Sequence, residues 1–113
     1  MKLVTAIIQP DKLDEVREAL VAEKITRISV TRVSGRGREG EEDLYRGQEV
    51  PLPLIPKIRL DIACNDEFVQ QICDTIIRTA KHGQGKVGDG KIFISPLEDC
   101  IRIRTGEKGS SAI

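Results

Sequence analysis

Aromatic side chains are scarce: the 113-residue chain has no tryptophan, one tyrosine and two phenylalanines. RNA-binding sheets stack bases on strand aromatics. Phe93 alone falls in an expected strand, which argues against nucleic acid as a ligand. Net charge is missing as well. Eighteen basic residues balance eighteen acidic ones, so no global field draws in nucleic acid or an anionic membrane. An anion site must come from local clustering. The cysteines Cys64, Cys73 and Cys100 show no CxxC spacing. They read as free thiols in a reducing cytoplasm rather than a disulfide framework or zinc site. The single histidine, His82, follows Lys81 in a polar loop. Without convergent partners it reads as a surface residue, not a metal ligand or catalytic base. No apolar stretch reaches transmembrane length and none forms a leader-like core near the start, so a soluble, cytoplasmic protein is expected.

What is present fits one small domain over 1–113. KLVTAIIQ (2–9) is β-branched and apolar; Leu13, Val16 and Leu20 then share one helical face within Lys12–Lys24. TRISVTRV (26–33) and IRLDIA (58–63) alternate like strands. Phe68, Val69, Ile72, Cys73, Ile76 and Ile77 set a second helical period, which Asn65 or Asp66 can cap. KIFIS (91–95) and CIRIR (100–104) read as two short strands around Pro96, and the tail 105–113 as mobile. The order specifies an α+β fold, a ferredoxin-like βαββαβ sandwich, with a long loop between strands 2 and 3. Both alternating sets of the first strand, Leu3/Ile7 and Val4/Ala6/Ile8, are largely apolar. A half-solvated sheet shows polar residues outward, so a second subunit is expected over the outer face; a tolerated exposed sheet is the competing reading. The segment 36–55 is aperiodic and charged, far longer than the usual connection, as binding loops or disordered segments are.

The loop GQGKVGDGK (83–91) holds Gly83, Gly85, Gly88 and Gly90 with two lysines. It spells a dinucleotide fingerprint, Gly83-x-Gly85-x-x-Gly88, and a P-loop as far as Gly90-Lys91. Both motifs need a strand before and a helix after, and here the order is reversed; Ile92 also replaces the magnesium-binding hydroxyl. Glycine amides can still form an anion nest, with Lys86 and Lys91 adding charge. A tight turn at Asp89-Gly90 is the competing reading. Arg102 and Arg104 fall on one face of the expected last strand. Like charges about 7 Å apart repel by roughly 0.6 kcal/mol in water and about 2.4 at an effective dielectric of 20. An exposed edge tolerates that, but a polyphosphate gripped by both guanidinium groups explains it better.

Over nearly its whole length the sequence resembles the PII signal-transduction family, the nitrogen regulatory proteins PII. The matching stretches are AIIQPDKLDEVREAL (6–20), LYRG (44–47), DTIIRTA (74–80), VGDGKIF (87–93) and IRIRTGE (101–107). The resemblance implies a homotrimer that binds ATP or ADP in clefts between subunits. It assigns Gly88, Asp89, Gly90 and Lys91, in a phosphate loop spanning 81–91, to the phosphates, with Arg102 and Arg104 completing the clamp. Ile7, Ser29, Gly35 and Ala63 would line base and ribose, and Gly37 and Arg38 would approach the phosphates. With Mg, ATP would open a site for 2-oxoglutarate, held by Lys57 and reached by Glu39. The loop 36–55 would be an effector that docks on a partner such as an ammonium channel or a nitrogen-metabolism enzyme, giving contact with membrane only through a partner. Such a protein is a regulator, not an enzyme.

Three departures qualify the resemblance. Val50 stands where the family carries its uridylylated tyrosine, so Tyr45 is not that site; Gln48 replaces a serine phosphorylated in some relatives. Glu39 stands where relatives use a glutamine near Mg; a carboxylate can ligate the ion but repels 2-oxoglutarate. The alternatives are a regulator of a non-nitrogen partner that senses adenine nucleotides only, and a small phosphate-ester or acyl-phosphate hydrolase using Arg38 or Arg102.

Overall fold

The computed structural model describes residues 1–37 and 53–113. Its elements are β1 (Lys2–Ile8), α1 (Leu13–Ala22), β2 (Ser29–Gly35), β3 (Ile55–Cys64), α2 (Val69–Ala80) and β4 (Gly90–Pro96). The four strands form one antiparallel sheet in the order β2-β3-β1-β4, the ferredoxin-like arrangement expected. Register decides the core. Val4, Ala6 and Ile8 lie opposite Ile62, Leu60 and Ile58, and this set is buried against Val16 and Leu20 of α1 and Ile72, Cys73 and Ile76 of α2. Burial raises the thiol pKa of both Cys64 and Cys73.

Helix α1 stops on a residue other than glycine. Lys24 has φ 65°, while the Ile25 amide donates to the Leu20 carbonyl at 2.9 Å. This is the five-residue-back bond of a Schellman cap, and Ile25 packs its side chain on the core. The chain then crosses to the sheet edge, so β2 begins three residues later than the alternation from Thr26 suggests. Pro56 sits inside β3 without breaking it. There β3 pairs only with β2, since its pairing with β1 starts at Ile58, and a proline is tolerated where one edge is open.

Two expectations about the C-terminal region fail. CIRIR is not a strand. Ile101 makes an isolated bridge to Lys108, and the Arg102 amide donates to the Glu107 carbonyl at 2.9 Å while the Gly106 amide donates to the Arg102 carbonyl at 2.7 Å. Thr105-Gly106 turns the chain before five alternating residues can find a neighbouring strand, so Arg102 and Arg104 do not share a strand face. Nor is the tail loose. Ala112 is buried, and the carbonyls of Ser110, Ser111 and Ile113 accept hydrogen bonds from Asn65, Arg102 and Arg27.

Candidate functional site

On the sheet face opposite the helices, strand periodicity aligns Val33 and Gly35 of β2, Lys57 and Arg59 of β3, Ile7 of β1, and Lys91 and Phe93 of β4. The loop 81–89 overhangs them. Together they enclose a cavity of about 540 Å³ lined also by Arg36, Gly37 and Lys86–Gly90. Five cationic side chains (Arg36, Lys57, Arg59, Lys86 and Lys91) face one carboxylate, Asp89, on this wall. Lys57 is only 5% exposed. Arg59 Nε donates to Asp61 Oδ2 at 3.0 Å, and Thr5 donates to the other oxygen of Asp61 at 2.7 Å. Burial opposes the charge on Asp61, yet these two donors hold its pKa below the ordinary value.

The overhanging loop is built from two successive turns, closed by Gly85 N–H to His82 O at 2.9 Å and Asp89 N–H to Lys86 O at 3.1 Å. Gly90 then enters β4 opposite Ile8, so the hairpin reading of Asp89-Gly90 is excluded. Gln9 Nε2 donates to the Gly88 carbonyl at 2.6 Å, tying the loop to the end of β1. His82 is not the simple surface residue expected. Its ring lies between Asp11 and Asp89, at 2.9 and 2.6 Å. The hydrogen bond to Asp11, then that to Asp89, raises the His82 pKa; Asp11 is lowered by the same contact. For Asp89, desolvation is the largest influence and acts upward, but hydrogen bonds from the Lys86 amide and His82 outweigh it.

Of the residues implicated by sequence, Ile7, Gly35, Gly37, Lys57, Gly88, Asp89, Gly90 and Lys91 converge on this cavity. Arg38, Glu39, Tyr45, Gln48 and Val50 lie outside the described residues. Ser29, Ala63, Arg102 and Arg104 do not line it. Ser29 is six residues from Gly35 along β2, and Ala63 six from Lys57 along β3. At about 3.3 Å per residue this is roughly 20 Å, at the opposite end of the sheet. The C-terminal tail docks at that far end too, through Arg27 and Asn65, and Arg102 joins it by donating to Glu107 Oε2 at 2.9 Å and to the Ser111 carbonyl at 3.2 Å. A single chain therefore does not bring the two groups of sequence-implicated residues together. Arg36 and Arg59 join the cavity unheralded; for Arg59, its place two residues after Lys57 on one strand face was the available signal.

The family model for nitrogen regulatory protein P-II matches residues 1–107. The chain belongs to the P-II family. A nitrogen regulatory protein P-II of Klebsiella oxytoca is 50% identical over 114 aligned positions, covering 100% of both chains. Nitrogen regulatory protein P-II 1 of Escherichia coli strain K12 matches with the same identity and coverage. Nitrogen regulatory protein P-II 2 of Methanothermobacter thermautotrophicus is 46% identical over 100% of this chain and 97% of its own. P-II proteins are regulators and not enzymes, as expected. Among the described residues no helix is long and apolar enough to cross a membrane.

Proposed function

We propose that this P-II family member is a cytoplasmic regulator that binds ATP or ADP in three clefts of a homotrimer. Each cleft combines the cationic wall of one protomer with the Ser29, Ala63, Arg102 and Arg104 end of the next. The observation that carries this reading is the cavity wall itself. Five cations around about 540 Å³ suit a multiply charged ligand of nucleotide size. At Gly90 the backbone lies so close to Ile7 that no side chain fits, leaving bare peptide beside the cavity. Polyphosphate oxygens accept from exposed amides and from Lys91 there, while Ile7 and Val33 offer an apolar surface for a base. The separation of the two half-sites supports a cleft between protomers, because one chain cannot bring both ends of its sheet to one ligand.

Lys57 would grip a carboxylate of 2-oxoglutarate, and Glu39, with Mg, would stand beside it. Nucleotide state then biases the segment 36–55, and that segment docks on a partner, an ammonium channel or a nitrogen-metabolism enzyme. A ligand shifts such an equilibrium only by its differential affinity for the two loop states; coupling of about 1–3 kcal/mol changes partner affinity roughly 5- to 150-fold. Calorimetry with MgATP and MgADP, each with and without 2-oxoglutarate, tests the ligands. Binding of nucleotide without any response to 2-oxoglutarate would select a sensor of adenine nucleotides alone, and absence of nucleotide binding would overturn the proposal. Deletion of 38–50 is expected to abolish partner capture in ATP and ADP pull-downs while the folded oligomer persists.

A further inference from the structure

His82 is the chain's only histidine, and both ring nitrogens face carboxylate oxygens. Nδ1 lies 2.6 Å from Asp89 Oδ1 and Nε2 lies 2.9 Å from Asp11 Oδ2. An ionised carboxylate only accepts, and a neutral imidazole carries a single N–H. In the neutral ring one of these contacts would set a lone pair against an oxygen. Both become hydrogen bonds only in the imidazolium. The two ring nitrogens point away from each other, so the ring and both carboxylates cannot converge on one metal ion. Among the described residues no His, Cys, Asp and Glu group of metal-binding kind is found. The occupant this cluster is built for is a proton.

The three residues come from separate segments. Asp11 lies in the short turn Pro10–Lys12 after β1, His82 just beyond α2, and Asp89 at the cavity wall immediately before Gly90. Asp89 Oδ2 also accepts the Lys86 amide at 2.8 Å, and the His82 amide lies 3.3 Å from both of its oxygens. His82 therefore locates Asp89, and Asp89 locates the loop that carries Lys86 and Gly88. The other charged groups around the ring are Lys86, which lines the adjoining hollow with Asp11 and Asp89, Lys81, next to it in the chain, and Lys12, which pairs with Glu15 at 3.2 Å.

We propose that imidazolium His82 is a proton-dependent clasp on the phosphate loop, a positioning residue through which the cleft's affinity for polyphosphate falls as the ring loses its proton. The inference rests on the reading of the cavity as a nucleotide site. The sign follows from linkage. Hydrogen bonds to Asp11 and Asp89 favour the charged ring and raise its pKa above the ordinary value of about 6.5. Asp89 is held in place below that raised pKa and released as pH rises through it. A ligand that selects the held loop must in turn draw a proton onto His82.

With one histidine in the chain, its imidazole Cε1–H resonance reports this residue alone. The test follows that resonance against pH with and without saturating MgATP, and measures MgATP affinity by calorimetry from about pH 6 to about pH 9, spanning the histidine range. Wild type is compared with His82→Gln and with Asp11→Asn, which removes an exposed carboxylate. MgATP is expected to shift the wild-type titration upward. Wild-type affinity should fall at least about threefold more across the range than that of His82→Gln, a tenfold change corresponding to one unit of linked pKa difference; Asp11→Asn should lie between them. Identical pH profiles in wild type and variants, or a resonance whose titration MgATP does not move, would overturn the clasp and leave the nucleotide site standing. No MgATP binding by wild type at any pH would overturn both. Should His82→Gln fail to fold, the wild-type resonance and Asp11→Asn decide the question.

Discussion

Gly90 rests directly on the Ile7 carbonyl: a β-carbon at position 90 would lie 1.8 Å from that oxygen. Its φ of 125° is also one that L side chains rarely adopt. The contact fixes where β4 starts and where the glycine-rich loop ends. Gly90→Ala is expected to cost roughly 2–5 kcal/mol from combined backbone strain and overpacking and to lose MgATP binding. Thermal melting and calorimetry measure the two effects; a variant with unchanged melting temperature and affinity would show that the backbone can slide there.

Lys91 follows Gly90 onto the cavity wall. Lys91→Ala is expected to weaken MgATP by about 2–4 kcal/mol, the cost of a lost charge-assisted contact in a desolvated site. Arg102→Ala separates two geometries. In a cleft between protomers it should weaken binding comparably, although Arg102 is absent from the cavity wall of its own chain. Full affinity in Arg102→Ala would confine the site to one protomer.

Among the described residues, the large apolar side chains that face solvent in the single chain include Phe93 at 53%, Ile94 at 51%, Ile101 at 56% and Ile103 at 101% exposure. Each contributes about 1.5–3 kcal/mol if fully covered, enough together to support association. Light scattering is expected to give three times the 12.5 kDa chain mass, and Phe93→Asp with Ile103→Asp to lower it. A wild-type monomer at micromolar concentration would contradict the covered-face argument.

Asp61 binds Thr5 and Arg59 on the outer face of the sheet, and its pKa is lowered from 3.8. A depressed carboxylate contributes stability above its unfolded value and loses that contribution as pH falls through the folded one. Asp61→Asn should therefore destabilise by about 1–2 kcal/mol near neutrality, the usual worth of hydrogen bonds to a partly exposed charge. The difference from wild type should vanish in urea titrations once pH has fallen below the lowered folded pKa of Asp61. A difference that persists there would assign the loss to packing rather than charge.

The fold was largely legible because its signals are local. Alternation in KLVTAIIQ and IRLDIA, and the spacing of Ile72, Cys73 and Ile76, record which side chains face one core. The alternation of CIRIR misled because a strand also needs a neighbour, which five residues before Thr105-Gly106 do not reach. The loose-looking tail was misread for a related reason. Its docking groups, Arg27 and Asn65, lie 86 and 45 residues away from their carbonyl partners.

The sequence alone determined that two helices would cover one side of a sheet, and its motifs carried the likeness to P-II proteins. Folding decided which of those residues share a wall. Lys57 and Lys91 line one cavity because β3 and β4 flank β1, while Ala63 and Ser29 are carried to the other end of the sheet. It also turned a solitary histidine into the link between Asp11 and Asp89, 71 and 7 residues away. Periodicity describes neighbours a few residues apart, and contacts across such separations leave no mark in it.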